Sequence, residues 1–211
     1  SNDQSWILVS EDNESFGPFD HVLLTPPAPQ TAEILASSTG PRALHDVLIE
    51  AVRAVDYAAQ FSIVLAYERK IRRAGDYYGL LNGDGEHPIA WIGFEHDKPG
   101  HVPDGNSVVV IQMSPDWTAA RLESDPDHFM TDAKELAAQV LQADLKRPSW
   151  YDTQRWRYAL PTSAADAEVL ARGTSAGLFF AGDYVVGEGR VGHAIESGLD
   201  AADQIQQALS G

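Results

Sequence analysis

Residues 177–198 read GLFFAGDYVVGEGRVGHAIESG. Within them Gly187, Gly189 and Gly192 spell G-x-G-x-x-G, the glycine pattern of a dinucleotide-binding turn. Taken literally, that pattern needs a strand, the turn, a helix, and a second strand carrying an acidic residue ~20 positions on. The strand LFFAG is there. So is the helix, with Val191, Ala194, Ile195, Gly198, Ala202, Ile205 and Leu209 as one apolar stripe. The second strand and its acid are not. The spacing is also wrong, because GDYVV separates Ala181 from Gly187, whereas a Rossmann glycine follows its strand almost directly.

A different chemistry fits the stretch better. A buried strand brings Gly182 and Asp183 to its C-terminal end, and a loop with Gly187 and Gly189 opens a helix near Arg190. A helix N-terminus offers free N–H groups and the positive end of a dipole. Glycines permit close backbone approach. The Asp183 carboxylate can accept hydrogen bonds from sugar hydroxyls. Together these suit a ribityl chain and the electron-rich edge of a flavin. The plain alternative stays open at this point: the glycines serve only the turn, and Asp183 caps the helix.

Composition narrows the classes. There is no cysteine among 211 residues, which excludes disulfides, thiolate metal sites and a Cys nucleophile. Fifteen Lys and Arg against 31 Asp and Glu leave a formal charge of −16. Such a surface repels phosphate backbones and anionic lipid, so neither nucleic acid nor membrane is expected as a partner. No apolar run reaches the ~18 residues of a membrane span. The opening SNDQSW has no basic or apolar leader region, so no signal peptide and a cytoplasmic location are expected.

Periodicity gives the layout. Residues 6–10 and 22–25 read as strands, with the polar turn EDNESFGP between them. A short helix follows over 30–36, and another after Pro41 with Leu44, Val47, Leu48, Val52 and Val55 at helical spacing. FSIVLAYE, a strand–turn–strand around Gly83 and Gly85, and SVVVIQM give the middle strands. Two helices follow, over 116–123 and then with Phe129, Ala133, Leu136, Val140 and Leu141 on one face. YDTQRWRYALP is a strand that puts Trp156 and Tyr158 on one face and Arg155 and Arg157 on the other. A short helix at 165–171 precedes the opening stretch. Helices and strands mix without βαβα alternation, an α+β layout. Gly173 to Gly177 spell G-x-S-x-G, but a nucleophile elbow needs the strand before and the helix after. Ser175 has the reverse and reads as a loop serine. His96, Asp97 and His101 share one loop, read as solvated, and no metal site is expected.

The chain resembles the flavin amine oxidase superfamily, and within it the renalase-like bacterial NAD(P)/FAD-dependent oxidoreductases. GLFFAGDYVVGEGRVGHAIESGLDAADQI (177–205) is similar to the family's C-terminal FAD motif. FDHVLLTPPAPQTAEIL (19–35), AWIGFEHDKPGH (90–101), VVVIQMSPDWT (108–118) and RWRYALP (155–161) match in order. The resemblance implies part of a two-domain FAD-binding fold of the p-hydroxybenzoate hydroxylase and amine oxidase type, without the N-terminal Rossmann βαβ. It implies residues 1–39 and 151–211 as the C-terminal part of the FAD-binding domain and 40–150 as the substrate domain. FAD is the implied cofactor, held by Gly182, Asp183, Gly189, Arg190, Val191 and Ala194. Trp156, Tyr158 and His193 are the implied substrate residues for a small molecule. An N-terminal FAD-domain half is the implied partner, without which this chain alone is expected to be apo. Two positions depart from the family: Gly192-His193 stand where Glu-Gly is usual, and His101 where Arg is frequent. No residue reads as a catalytic acid, base or nucleophile. The rival reading is a flavin-free binding or interaction module.

Overall fold

The structure, a computed structural model, describes residues 5–210. Residues 1–4, where the reading of an unsignalled start begins, and residue 211 lie outside the described residues. In chain order the strands are β1 (Trp6–Val9), β2 (Ser15–Phe19), β3 (Val22–Leu24), β4 (Tyr57–Tyr67), β5 (Gly79–Leu81), β6 (Ile89–Phe94), β7 (Ser107–Met113), β8 (Trp150–Pro161) and β9 (Leu178–Phe180). The helices are α1 (Ala28–Ser37), α2 (Arg42–Arg53), α3 (Pro115–Ala119), α4 (Pro126–Leu141), α5 (Ala167–Ala171), α6 (Asp183–Val186) and α7 (Val191–Ser210). The mixture is α+β, as the pattern predicts. Two elements go beyond the sequence reading. Part of the polar turn is strand β2, and a four-residue helix, α6, stands between β9 and α7.

The chain forms two compact units, one of residues up to 57 and from 160 onward, the other Ala58–Ala159. The boundary expected at 39/40 therefore moves past α2, and the one at 150/151 moves into β8. The reason is packing. Helix α2 is amphipathic and buries His45, Leu48, Ala51 and Val52. Leu48 and Val52 join a core with Leu24, Ala32, Leu35, Leu170, Leu178, Phe180 and Tyr184, all in the first unit.

In that first unit β3 and β9 pair in parallel, with Val22 opposite Leu178 and Leu24 opposite Phe180. The pair is closed by Val22 N–H to Gly177 C=O at 2.8 Å and Ala181 N–H to Leu24 C=O at 3.1 Å. All three residues of β9 are buried. Gly177 turns the chain into β9 with φ +70°, and a methyl group there would strike the Asp20 carbonyl. Strands β1 and β2 form an antiparallel hairpin, tied down by Trp6 Nε1 donating to Ala176 C=O at 2.7 Å.

The second unit is a five-stranded sheet in the order β5-β6-β7-β4-β8. Period-2 alternation puts Phe61, Ile63, Leu65 and Tyr67 of β4 and Val109, Ile111 and Met113 of β7 on one face. Helix α4 covers that face with Phe129, Met130, Ala133, Ala137 and Leu141. Its buried stripe is thus rotated from the expected one, and Leu136 and Val140 are only half-buried. Asp125 caps α4 by accepting from Asp127 N–H at 3.0 Å, and Pro126 fills the first position, where no N–H is needed. Among the described residues no helix is long and apolar enough to cross a membrane.

Two glycines with positive φ separate strain from crowding. Gly177→Ala adds a left-handed penalty to a clash with backbone, for a cost of about 2–4 kcal/mol. Gly85 has φ +77° but open space around it, so Gly85→Ala costs about 1 kcal/mol. Urea unfolding of the two variants checks the difference, and equal losses would show that the Asp20 contact is unimportant.

Candidate functional site

The opening stretch folds into a strand end, a short helix and the start of a long one. Gly182 has φ +146° and ψ 169°, a conformation reserved for glycine, and its N–H donates to Ser197 Oγ at 3.1 Å. That bond fastens the end of β9 to α7. Asp183 is the first residue of α6, with Gly182 in the capping position and no side-chain cap bond. The alternative in which Asp183 caps the helix therefore does not hold. Its half-buried carboxyl is raised above the ordinary aspartate range, chiefly by desolvation and in spite of nearby backbone N–H groups, its own and that of Tyr184. Tyr184, the next residue, is buried in the unit's core.

The three fingerprint glycines divide by role. Gly187 has φ +88°, and a methyl group there would press on the backbone of Ala164 at 2.6 Å. One at Gly189 would meet Leu160 Cα at 2.9 Å. Both let the loop lie against residues 160–164. Gly192 faces open space. The first helical bond of α7 is Ala194 N–H to Arg190 C=O at 3.1 Å, so the amides of Val191, Gly192 and His193 precede the ladder. Val191 is 80% exposed, and Ile195 and Leu199 lie one and two turns further along the same exposed face. Arg190 is exposed, with Nε 3.6 Å from Glu188 Oε2. His193 is half-buried, with Nδ1 3.7 Å from the same Glu188 oxygen and no hydrogen bond.

Gly182, Asp183, Gly189, Arg190, Val191, His193 and Ala194 thus lie along one continuous segment of the first unit. Trp156 and Tyr158 belong to the second unit. Trp156 is half-exposed and donates from Nε1 to Ser62 Oγ at 3.1 Å. The predicted alternation on β8 is observed, but the arginine side is not simply solvated. Arg157 pairs with Glu123 at 2.8 Å, and Arg155 donates to Ser124 C=O at 2.9 Å while lying over the Phe61 ring. Ser175 donates to Arg172 C=O at 2.8 Å in a 3₁₀ turn, an ordinary loop serine. His96 and His101 bond to the Val108 backbone and to Glu95, and no metal-binding cluster occurs among the described residues.

Sequence reasoning passed over one feature of this unit. A groove of about 820 Å³ runs between α1 and α2, lined by Arg42, His45, Asp46 and Arg53 among others. His45 stacks on Trp6 at 6.0 Å, and its buried Nε2 has no hydrogen-bond partner. A lone histidine on an apolar helix face gives no sequence signal that distinguishes it from packing.

The segment fits a flavin on its own geometry. An open space beside Gly192, amides ahead of the α7 ladder, and a desolvated carboxyl at a strand end are complementary to a polyhydroxylated chain and an electron-rich ring edge.

Comparison with solved structures gives the fold. The chain is similar to reduced UDP-galactopyranose mutase, with TM-score 0.69 and 12% identity over 97% of this chain and 44% of that one. It is similar to a triple mutant of putrescine oxidase redesigned in its cofactor binding, with TM-score 0.65 and 15% identity over 98% of this chain and 47% of that one. For cyclohexylamine oxidase from Brevibacterium oxydans the values are 0.60, 13%, 94% and 45%. The chain therefore spans under half the length of these proteins. The sequence model of the flavin containing amine oxidoreductases matches residues 2–206. Since that match runs through almost the whole sequence, the chain belongs to the flavin containing amine oxidoreductase family.

Proposed function

We propose that the chain is the flavin-side and substrate-domain part of an FAD-dependent oxidoreductase of the amine oxidase and renalase-like type. The observation that carries the proposal is the desolvated Asp183 carboxyl at the end of β9, followed by an α7 N-terminus with open space beside Gly192. Gly182, Asp183, Gly189, Arg190, Val191 and Ala194 would hold the cofactor on its ribityl and ring side. The chemistry that the flavin supplies when bound is acceptance of a hydride from a reduced nitrogenous or dihydronicotinamide-type substrate, with reoxidation by oxygen. The chain's own groups bind, orient and exclude water. No acid, base or nucleophile is assigned a step.

The partner we propose is an N-terminal FAD-domain half, in the same or a separate polypeptide. Two features of the first unit support it. Its parallel sheet has two strands of three residues among the described residues, whereas parallel sheets are ordinarily covered on both faces and wider. It also exposes the apolar residues Val9, Phe16, Val191, Ile195 and Leu199, each more than half exposed. Those same exposed faces favour the second reading, a flavin-free interaction module. The colour of the purified protein separates the two, since a flavin absorbs near ~450 nm.

Two outcomes test the proposal. The 211-residue chain alone retains no stoichiometric FAD through gel filtration, because no second glycine turn is present to cradle the pyrophosphate. Co-elution of one FAD per chain would refute the need for the partner half.

The second outcome pairs affinity with stability at Asp183. In the full-length form, Asp183→Ala weakens FAD binding by about 10- to 150-fold, the scale of a charge-assisted hydrogen bond. Asp183→Asn loses less, since it keeps an acceptor. Burial raises the folded pKa of Asp183, so the ionised carboxylate costs the apoprotein stability. The contribution is favourable at low pH and is lost as pH rises through the folded pKa. Asp183→Asn therefore raises the apo Tm at pH 7, and the difference closes as pH falls below the unfolded-state pKa of about 4. FAD affinity unchanged in Asp183→Ala would remove the cofactor role.

A further inference from the structure

Six of the chain's 15 lysines and arginines lie in two short segments: Arg69, Lys70, Arg72 and Arg73 after β4, and Lys146 and Arg147 ahead of β8. The fold brings the two segments together. Ser149 N–H donates to Ala66 C=O at 2.8 Å, the Tyr67 hydroxyl to Leu145 C=O at 2.9 Å, and Arg69 Nη2 to Asp144 C=O at 2.8 Å. Both therefore lie at one end of the five-stranded sheet, where β4 and β6 stop and β7 and β8 begin. In a chain whose formal charge is −16, that end gathers cations.

Two of the six are already engaged. Arg73 pairs with Asp97 at 2.7 Å and lies 4.4 Å over the Phe94 ring, and Arg69 is held by Asp144. Between them Ile71 is buried, and its N–H donates to Ser107 Oγ at 2.9 Å. Lys70 and Arg72, on either side of Ile71, are exposed. Lys146 and Arg147, next to the buried Leu145, are exposed too, and Lys146 N–H is tied to Asp144 Oδ1 at 3.0 Å. None of these four cations makes an ion pair among the described residues. The acids Glu68 and Asp76 nearby in the chain are likewise unpaired, so free cations outnumber free acids. At the border of the patch Trp150 opens β8 and is 55% exposed.

We infer that this end of the second unit docks a short acidic segment of a partner polypeptide through Lys70, Arg72, Lys146 and Arg147. Charge complementarity carries the inference. The backbone beneath the four side chains is fixed by its own hydrogen bonds, so docking orders side chains and little else. Arginine and tryptophan together are the residue types that anchor protein interfaces. The length of the occupant is limited by the rest of the surface. Beyond a screening length of ~8–10 Å a polyanion meets a chain that is acidic on balance, so a long nucleic acid gains the patch and loses along its remaining length. A few carboxylates fit within the patch and meet no such repulsion. The inference goes beyond the proposed function and does not depend on a flavin.

The test is fluorescence anisotropy of a rhodamine-labelled hexaglutamate peptide titrated with the 211-residue chain, with a labelled hexathymidylate as the nucleic-acid contrast. Hexaglutamate is expected to bind saturably at low ionic strength, and to be released as salt shortens the screening length. A variant carrying Lys70→Gln, Arg72→Gln, Lys146→Gln and Arg147→Gln is expected to bind it about tenfold more weakly, at the scale of four exposed charge pairs. Its melting temperature should stay with the parent's, since the four side chains are exposed. A second variant removes the same formal charge elsewhere, through Arg42→Gln, Arg53→Gln, Lys134→Gln and Arg172→Gln, and is expected to bind within about twofold of the parent. Equal losses in the two variants would reduce the effect to net charge and overturn the inference. So would the absence of saturable hexaglutamate binding, binding indifferent to salt, or tighter binding of hexathymidylate, which would assign the patch to nucleic acid.

Discussion

The parallel pairing of Val22–Leu24 with Leu178–Phe180 is the constraint on which the rest of the structure depends. It joins segments separated by the whole of the second unit, so its loop-closure entropy must be met by burial elsewhere. The burial is supplied by α1, α2 and α5, whose apolar faces converge on both strands in one core. The same pairing fixes where the chain emerges. Ala181 is still hydrogen-bonded to Leu24, Gly182 to Ser197, and only then does Asp183 open helix α6. A slip of one residue would turn the Asp183 side chain to the opposite side of the sheet.

That emergence explains why a familiar glycine pattern occurs far from a Rossmann turn. Gly187 and Gly189 are required by the close approach of Ala164 and Leu160, a packing demand internal to the unit. Of the three glycines in the pattern, Gly192 alone looks into open space. A spacing of glycines in sequence does not say which surface each one approaches, because the same absence of a side chain serves a ligand and a neighbouring backbone equally well.

The sequence was legible where one period dominated. Helices α2, α4 and α7 and strands β4, β7 and β8 follow from their repeats. Strand β2 did not, because Ser15–Phe19 is exposed along its whole length and shows no alternation. Helix α6 did not, because four residues cover barely one turn. The α4 stripe was misjudged because Ala137 is buried and Leu136 is not, and a small residue at a close helix–sheet contact has no hydrophobic signal of its own. The unit boundary was misjudged for a related reason. Periodicity shows that α2 has an apolar face but not which core receives it. At the candidate site, the strand end, Asp183 and the helix start were readable. The partial desolvation of the Asp183 carboxyl was not, since it depends on three-dimensional burial.

Charge acts at two ranges in this molecule. A formal charge of −16 draws cations toward the surface, but only within a screening length of ~8–10 Å at ordinary salt. Such attraction alone would favour a cationic amine over a neutral ring at every exposed face. Any departure from that attraction has to be local. The central strands of the second unit are such a place, since Ser62 and Gln112 stand opposite each other and neither carries a charge. A cation arriving there must exchange water for groups that cannot balance its charge, while a neutral ring surrenders little hydration and gains stacking. The acidic exterior sets the local concentration of ions, while an uncharged strand face offers a cation nothing to replace its water.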